Sequence, residues 1–216
     1  VARGLTERSG WVVNVENRSG ANGSIGTSEV ARSAPDGHTL TLGLHGTMVV
    51  NPLIYRNLPY SFSDFVPVVG LIRATFLLVA SPDFPANSMR ELITEAKRRS
   101  ETGINFGTYG AGSSGHLAAA LLSTLTGIKL HTVHHSGPPI LNVANGTLPL
   151  SLEPFNLARP YIREGRVKPL GVTSSARHPE FPQLPSILEV VPGFVVPTWY
   201  GLLAPSGVRA DIIAKL

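Results

Sequence analysis

The sequence predicts an α/β protein with mostly parallel sheets. Two observations carry that prediction: strand-length apolar runs alternate with helical patterns along the whole chain, and one stretch, Ile104 to Thr126, reads as a complete strand, glycine-rich loop and helix. Length adds a constraint without choosing between layouts. A chain of 216 residues forms either one large domain or two lobes of roughly 100 residues each.

In chain order, Val1 to Ser9 has a helical mix of polar and apolar residues that stops at Gly10, a suitable residue for the left-handed position after a helix. Trp11 to Val15 reads as a strand. The glycine-rich segment Asn17 to Gly26 follows, then a short helix ending near Ala34. Pro35-Asp36-Gly37 is a turn, and His38 to Leu44, Val68 to Ile72 and Phe76 to Ala80 are strand candidates. Ser88-Met89-Arg90-Glu91 fits a capping box, opening a helix whose buried side carries Leu92, Ile93 and Ala96. The strand Ile104 to Gly107 feeds a small-residue loop and the helix His116 to Thr126, with Leu117, Leu121 and Leu125 on one face and Gly127 ending it. Lys129 to Val133, Leu148 to Leu152 and Val167 to Thr173 complete the strands. Helices are expected near Pro139 to Ala144 and Leu157 to Glu164.

Composition removes several function classes. An apolar fraction of 43% beside 15% charged residues is that of a chain with a packed core, and 22 Gly with 18 Pro supply many turns. The longest apolar stretch, Val66 to Ala80, is broken by Pro67, Gly70 and Arg73 and falls short of the about 20 residues of a membrane-spanning helix. Basic residues exceed acidic ones by only 18 to 14 and are scattered, which argues against a nucleic-acid partner. No cysteine is present, so disulfides and thiolate metal sites are excluded. His131, His134 and His135 are wrongly spaced for a strand to present them together, and no metal or cofactor is expected.

The chemistry concentrates in Asn105 to His116. Gly110, Ala111 and Gly112 let an anion approach the backbone, the first helical turn offers N–H groups, and the hydroxyls of Ser113 and Ser114 add donors. That is a carboxylate seat; the competing reading makes Ser113 or Ser114 a helix cap and the glycines a tight turn. Ala111-Gly112-Ser113-Ser114-Gly115 also approximates a nucleophile elbow, so the alternative function is a serine hydrolase using Ser113, with Glu153 and His178 in the remaining roles.

Several segments occur together in a familiar order: Val15 to Gly26, Ala34 to Leu40, Leu58-Pro59-Tyr60, Asn105 to His116, Gly165 to Ser174, Phe181 to Ile187, and Trp199 to Pro205. In order and spacing the chain resembles the TctC or Bug family, the solute receptors of tripartite tricarboxylate transporters. The resemblance implies a type II periplasmic-binding-protein fold, two α/β lobes with a ligand cleft between them. It puts residues 1–102 plus 198–216 in the first lobe and residues 103–197 in the second. It implies a non-enzymatic, monomeric, periplasmic protein that captures a small carboxylate, namely an amino acid, a di- or tricarboxylate or an aromatic acid, and hands it to transporter membrane subunits or serves sensing.

By the same resemblance, the ligand meets Gly110, Ala111, Gly112, Ser113 and Ser114 from the second lobe and Thr47 from the first. Glu153 stands where the family usually has Asp, facing the distal part of the ligand and favouring an ammonium, a protonated group or a hydroxyl there. Two departures accompany it. The family's opening strand and Pro-Gly-Gly loop, its secretory leader and its C-terminal elements are expected to lie outside this sequence. His134-His135-Ser136-Gly137-Pro138-Pro139 also lacks the basic residue of the corresponding family loop.

Overall fold

A computed structural model describes residues 1–216. Helix α1 (Ala2–Ser9) ends on Gly10 at φ 72°, as the sequence leads one to expect. The following Trp11 to Val15 is not a strand: no strand of this chain pairs with it, and Val12 is 85% exposed. Helix α2 (Ser24–Ala31) then packs Val30 inward and leads to β1 (Thr41–Leu44), a π-helical turn at Gly46–Val50 and the short α3 (Asn51–Ile54). Strand β2 (Phe65–Arg73) closes this part of the chain.

Strand β3 (Phe76–Ala80) is buried at every position, the pattern of a central strand covered on both faces. Helix α4 (Met89–Arg98) is capped by Ser88, whose hydroxyl accepts from the Glu91 N–H, while Glu91 reaches back to the N–H of Asn87. Next come β4 (Ile104–Thr108), α5 (Ser114–Thr126), β5 (Leu130–His134), α6 (Ile140–Ala144), β6 (Leu150–Pro154), α7 (Phe155–Arg163), β7 (Lys168–Val172), α8 (Ile187–Val190), β8 (Trp199–Pro205) and α9 (Ala210–Ile213). The inward face of α5 differs from the expected leucine stripe. Gly115, Ala118, Ala119 and Leu122 are buried, while Leu125 is exposed, because small residues let the helix lie close to the sheet.

Two sheets result, one ordered β1-β8-β2 and the other β5-β4-β6-β3-β7. The first is antiparallel throughout. In the second, β4 runs parallel to β5 and β6, whereas β3 runs antiparallel to β6 and β7. The expectation of mostly parallel sheets therefore holds only around β4. The reason is that β3 enters from the other sheet, without the helical crossover that would align it with its neighbours.

The expected lobe boundary at residue 102 also moves. Phe76 to Ala80 is hydrogen-bonded into the five-stranded sheet, and Met89, Leu92 and Ala96 of α4 pack with Phe106, Leu122 and Leu150 of that sheet's core. Residues 76–102 thus belong with the second sheet. The chain passes between the sheets twice, at Ala74-Thr75 and at Pro197-Thr198, where the Ala74 N–H donates to the Thr198 carbonyl at 2.9 Å. These two extended segments form the crossing.

Candidate functional site

Strand β4 ends at Thr108, and the chain turns through Tyr109 to Ser113 into α5. Gly110 (φ 120°) and Gly112 (φ 79°) hold backbone conformations that disfavour side chains, so the turn needs glycine at both places. The turn is closed internally. Gly110 N–H donates to Thr108 Oγ1 at 3.3 Å, Ser113 N–H to the Gly110 carbonyl at 3.2 Å, and Gly112 N–H to His116 Nδ1 at 3.0 Å. Ser113 is the helix cap, its hydroxyl accepting from the His116 N–H at 3.3 Å. The capping reading and the anion-seat reading coexist here, since the cap uses the oxygen as acceptor and leaves the Ser113 O–H to donate. The N–H groups of Ser114 and Gly115, in the first turn, have no carbonyl of the helix to meet. Ser114 Oγ lies 3.3 Å from Thr198 Oγ1, linking the loop to the crossing.

The loop abuts the first sheet's side of the molecule. A Cβ placed on Gly112 would lie 2.8 Å from Ile54 Cδ1 and 3.0 Å from Asn22 Nδ2, so glycine permits the close approach of the two halves. Asn22 belongs to a turn held in an unusual shape: Ala21 and Asn22 both have left-handed backbone, at φ 45° and 50°. Asn51 holds it there. The Asn22 amide donates to Asn51 Oδ1 at 2.8 Å, and the buried Asn51 amide donates to Ser24 Oγ at 3.0 Å. Tyr60 O–H donates to the Thr47 carbonyl at 2.6 Å and ties the π-helical turn to the same network.

Thr47 itself is 2% exposed, and its hydroxyl is spent on Leu44, accepting from the N–H and donating to the carbonyl, both at 3.1 Å. It shapes the turn. On this side Ile54, Asn22 and Val50 come nearest to a Cβ placed on Gly112, and a Cβ on Gly46 would lie 3.5 Å from the Gly112 carbonyl oxygen. The sequence signal for Asn22 was the glycine-rich segment Asn17 to Gly26, which marked a loop without naming the side chain that faces across.

Glu153, at the end of β6, is 0% exposed. Tyr109 O–H donates to its Oε2 at 2.6 Å. Burial raises the carboxyl above the usual carboxylate range, and hydrogen bonding from the Tyr109 hydroxyl, then from the Ser151 hydroxyl and the Ile140 backbone, offsets part of the rise. Burial, then the adjacent carboxylate, pushes the Tyr109 phenol up in turn, and the nearby Tyr200 adds to this. The histidines separate. His134 Nδ1 lies 2.6 Å from Thr108 Oγ1, His131 Nε2 lies 3.1 Å from the Thr102 carbonyl, and His135 Nδ1 lies 3.2 Å from the Asn142 amide.

The hydrolase arrangement does not assemble. Ser113 is bonded to a backbone N–H, Glu153 to Tyr109, and His178 stacks on Phe155 with centroids 3.7 Å apart while accepting from the Glu180 N–H. No imidazole stands on the Ser113 hydroxyl as a general base must.

Residues 1–216 match the family described as the tripartite tricarboxylate transporter family receptor, TctC. The chain belongs to this family. A protein of the tcbD-tcbE intergenic region of Pseudomonas sp. (strain P51) is 35% identical across all of this chain and 65% of its own length. BugT of Bordetella pertussis is 32% identical, again across all of this chain and 68% of its own. The chain spans about two thirds of the length of these relatives. Among solved structures, R. palustris Rpa4515 with adipate superposes with a TM-score of 0.92 at 33% identity, covering 99% of this chain and 73% of that one. MatC of Rhodopseudomonas palustris with bound malate gives 0.88 at 31%, covering 99% and 74%, and the periplasmic binding protein BugD gives 0.88 at 31%, covering 99% and 72%. The fold is therefore the two-lobe α/β fold of periplasmic binding proteins, and the family and these neighbours are binding proteins.

Proposed function

We propose that this chain captures a small carboxylate between its two halves, without chemistry, as the periplasmic solute receptor of a tripartite transporter. One observation carries the reading: the Gly110 to Ser114 loop opens α5 towards Asn22 and Gly46 across the division between the sheets. A helix start of that kind offers N–H and hydroxyl donors to an anion where two halves meet. The adipate and malate of the two R. palustris neighbours support the ligand class. Closure about the Ala74 and Thr198 crossing completes the proposal, with Ser114 and Thr198 coupling loop to hinge.

Thermal melting against a panel of amino acids, dicarboxylates and aromatic acids tests it. A carboxylate present at about 100 times its Kd stabilises by about 2.7 kcal/mol, which moves the melting temperature measurably. A folded protein whose melting temperature stays fixed across the whole panel refutes the proposal.

A further inference from the structure

Four serines cap helical starts in this chain, and three of them are completed by an acid three residues later. The Ser61 N–H donates to Asp64 Oδ2 at 2.7 Å, and the Ser186 N–H to Glu189 Oε1 at 2.9 Å. At α4 the N–H of Asn87, one residue before the Ser88 cap, donates to Glu91 Oε2 at 2.8 Å. In each case a carboxylate meets a free N–H at the positive end of a helical turn. Helix α5 follows the same plan with a different acceptor. His116 stands three residues after Ser113, and its N–H donates to Ser113 Oγ at 3.3 Å. Its Nδ1 accepts from the N–H of Gly112, one residue before the cap, at 3.0 Å. This repeats the bond between Asn87 and Glu91, with an imidazole in place of the carboxylate.

The difference lies in charge. From Thr108 to Thr126, loop and helix together, there is no acidic residue. The N–H groups that the loop spends internally go to Thr108 Oγ1, the Gly110 carbonyl, Ser113 Oγ and His116 Nδ1, all of them uncharged. Burial, then the nearby His134, holds the His116 imidazole below its ordinary 6.5. At neutral pH the ring is therefore neutral, with its proton on Nε2 and a lone pair on Nδ1 for Gly112. His134 meets it edge to face with ring centroids 5.4 Å apart, and its own Nδ1 lies 2.6 Å from Thr108 Oγ1, the acceptor of the Gly110 N–H. A carboxylate at position 116 would hold Gly112 equally well. It would also lie within one helical turn of the Ser114 and Gly115 N–H groups and repel an anion brought to them. We propose that His116 is the positioning residue of the capture loop, an uncharged acceptor where the other serine-capped starts of this chain carry a carboxylate. It fixes Gly112 and keeps the start of α5 free of negative charge for the carboxylate of the ligand. This rests on the carboxylate-capture reading above and adds the side chain that holds the loop in its receiving shape.

Calorimetric titration and ligand-free melting, run together on His116→Glu, His116→Asn and His116→Leu, decide the matter. The probes are adipate, malate and the amino and aromatic acids of the melting panel. His116→Glu keeps the acceptor and adds the charge. Its expected result is a melting temperature at or above that of the unsubstituted protein, together with binding weaker by about tenfold or more. A merely structural role does not separate those two readouts. His116→Leu removes the acceptor and weakens binding by about fivefold or more. His116→Asn, whose Oδ1 lies as many bonds from the backbone as Nδ1, recovers affinity to within about twofold of the unsubstituted protein. Undiminished binding by His116→Glu, or a loss of affinity that merely tracks a lower melting temperature, overturns the inference and leaves carboxylate capture intact. Equal affinity of the Asn and Leu variants does the same. If His116→Leu fails to fold, the other two variants carry the test, since the Asn form must bind about fivefold or more tightly than the Glu form. If no acid of the panel binds the unsubstituted protein, both readings fall.

Discussion

The two halves of the molecule are held together by different means. Around the five-stranded sheet, clusters of 21 and 10 buried apolar residues pack on opposite faces, whereas the three-stranded sheet has a core cluster of five, Val30, Met48, Tyr60, Phe65 and Leu203. Its other face leaves Leu42, Val69 and Ile72 exposed. What fixes the loops of this smaller half is the buried Asn51 network, with its bonds to Asn22 and Ser24 and its neighbour Tyr60 on Thr47. The difference teaches a division of labour. The donor-rich Gly110 to Ser114 loop stands on a rigid apolar platform, and the loop facing it is shaped by directional hydrogen bonds that apolar packing does not supply.

The strongest way to break that comparison is to cut each core. Phe106→Ala empties a fully buried position of the large core and should cost about 3–5 kcal/mol in urea unfolding, against about 1 kcal/mol for Val30→Ala, where a smaller side chain sits at the edge of a thinner cluster. Equal losses at the two positions contradict the division. Asn51→Ala comes next. It strips the Asn22 turn and Ser24 of a partner and should lower stability by about 1–3 kcal/mol while weakening carboxylate affinity, whereas a core cut of equal cost leaves affinity unchanged. Ser113→Ala removes the α5 cap, worth about 1 kcal/mol in melting experiments, and weakens carboxylate binding by a similar or larger amount.

The smallest effect concerns pH. Because burial raises the Glu153 carboxyl above its ordinary 4.5, the folded state holds its proton more tightly than the unfolded chain. Its contribution to stability is full below about pH 4.5 and declines as pH rises through the folded value. Glu153→Gln should flatten this falling limb, seen as a smaller loss of melting temperature between mildly acid and neutral buffer. A steeper limb in the variant contradicts the assignment.

Much of this fold was legible because its signals are local. Gly10 and Gly127 at helix ends, Ser88 and Ser113 as caps, and the apolar run of β3 all act within one turn or strand, and the structure agrees with each. Pairing is not local. Trp11 to Val15 has the composition of a strand and no neighbour to bond with, and Phe76 to Ala80 lies in the second sheet although the chain reaches it directly from the first. The buried face of α5 is set by packing for a related reason: Leu117, Leu121 and Leu125 share one face by spacing, but close approach to the sheet favours glycine and alanine at the inward positions.

At the site, the glycine-rich loop announced itself through composition. Thr47 is expected at the cleft only through the family resemblance, and in the structure its hydroxyl bonds to the Leu44 backbone. Tyr109 over Glu153, Thr198 beside Ser114, and Asn51 behind Asn22 join residues 29 to 84 positions apart, and no spacing rule connects such pairs.

Amide NMR on the protein titrated with a carboxylate that raises its melting temperature tests the central claim most directly. The account predicts the largest shifts at the N–H groups of Ala111, Ser114 and Gly115, with smaller ones at Asn22 and Gly46 across the division. Saturable binding that leaves all of these unmoved, or moves only amides elsewhere, contradicts it.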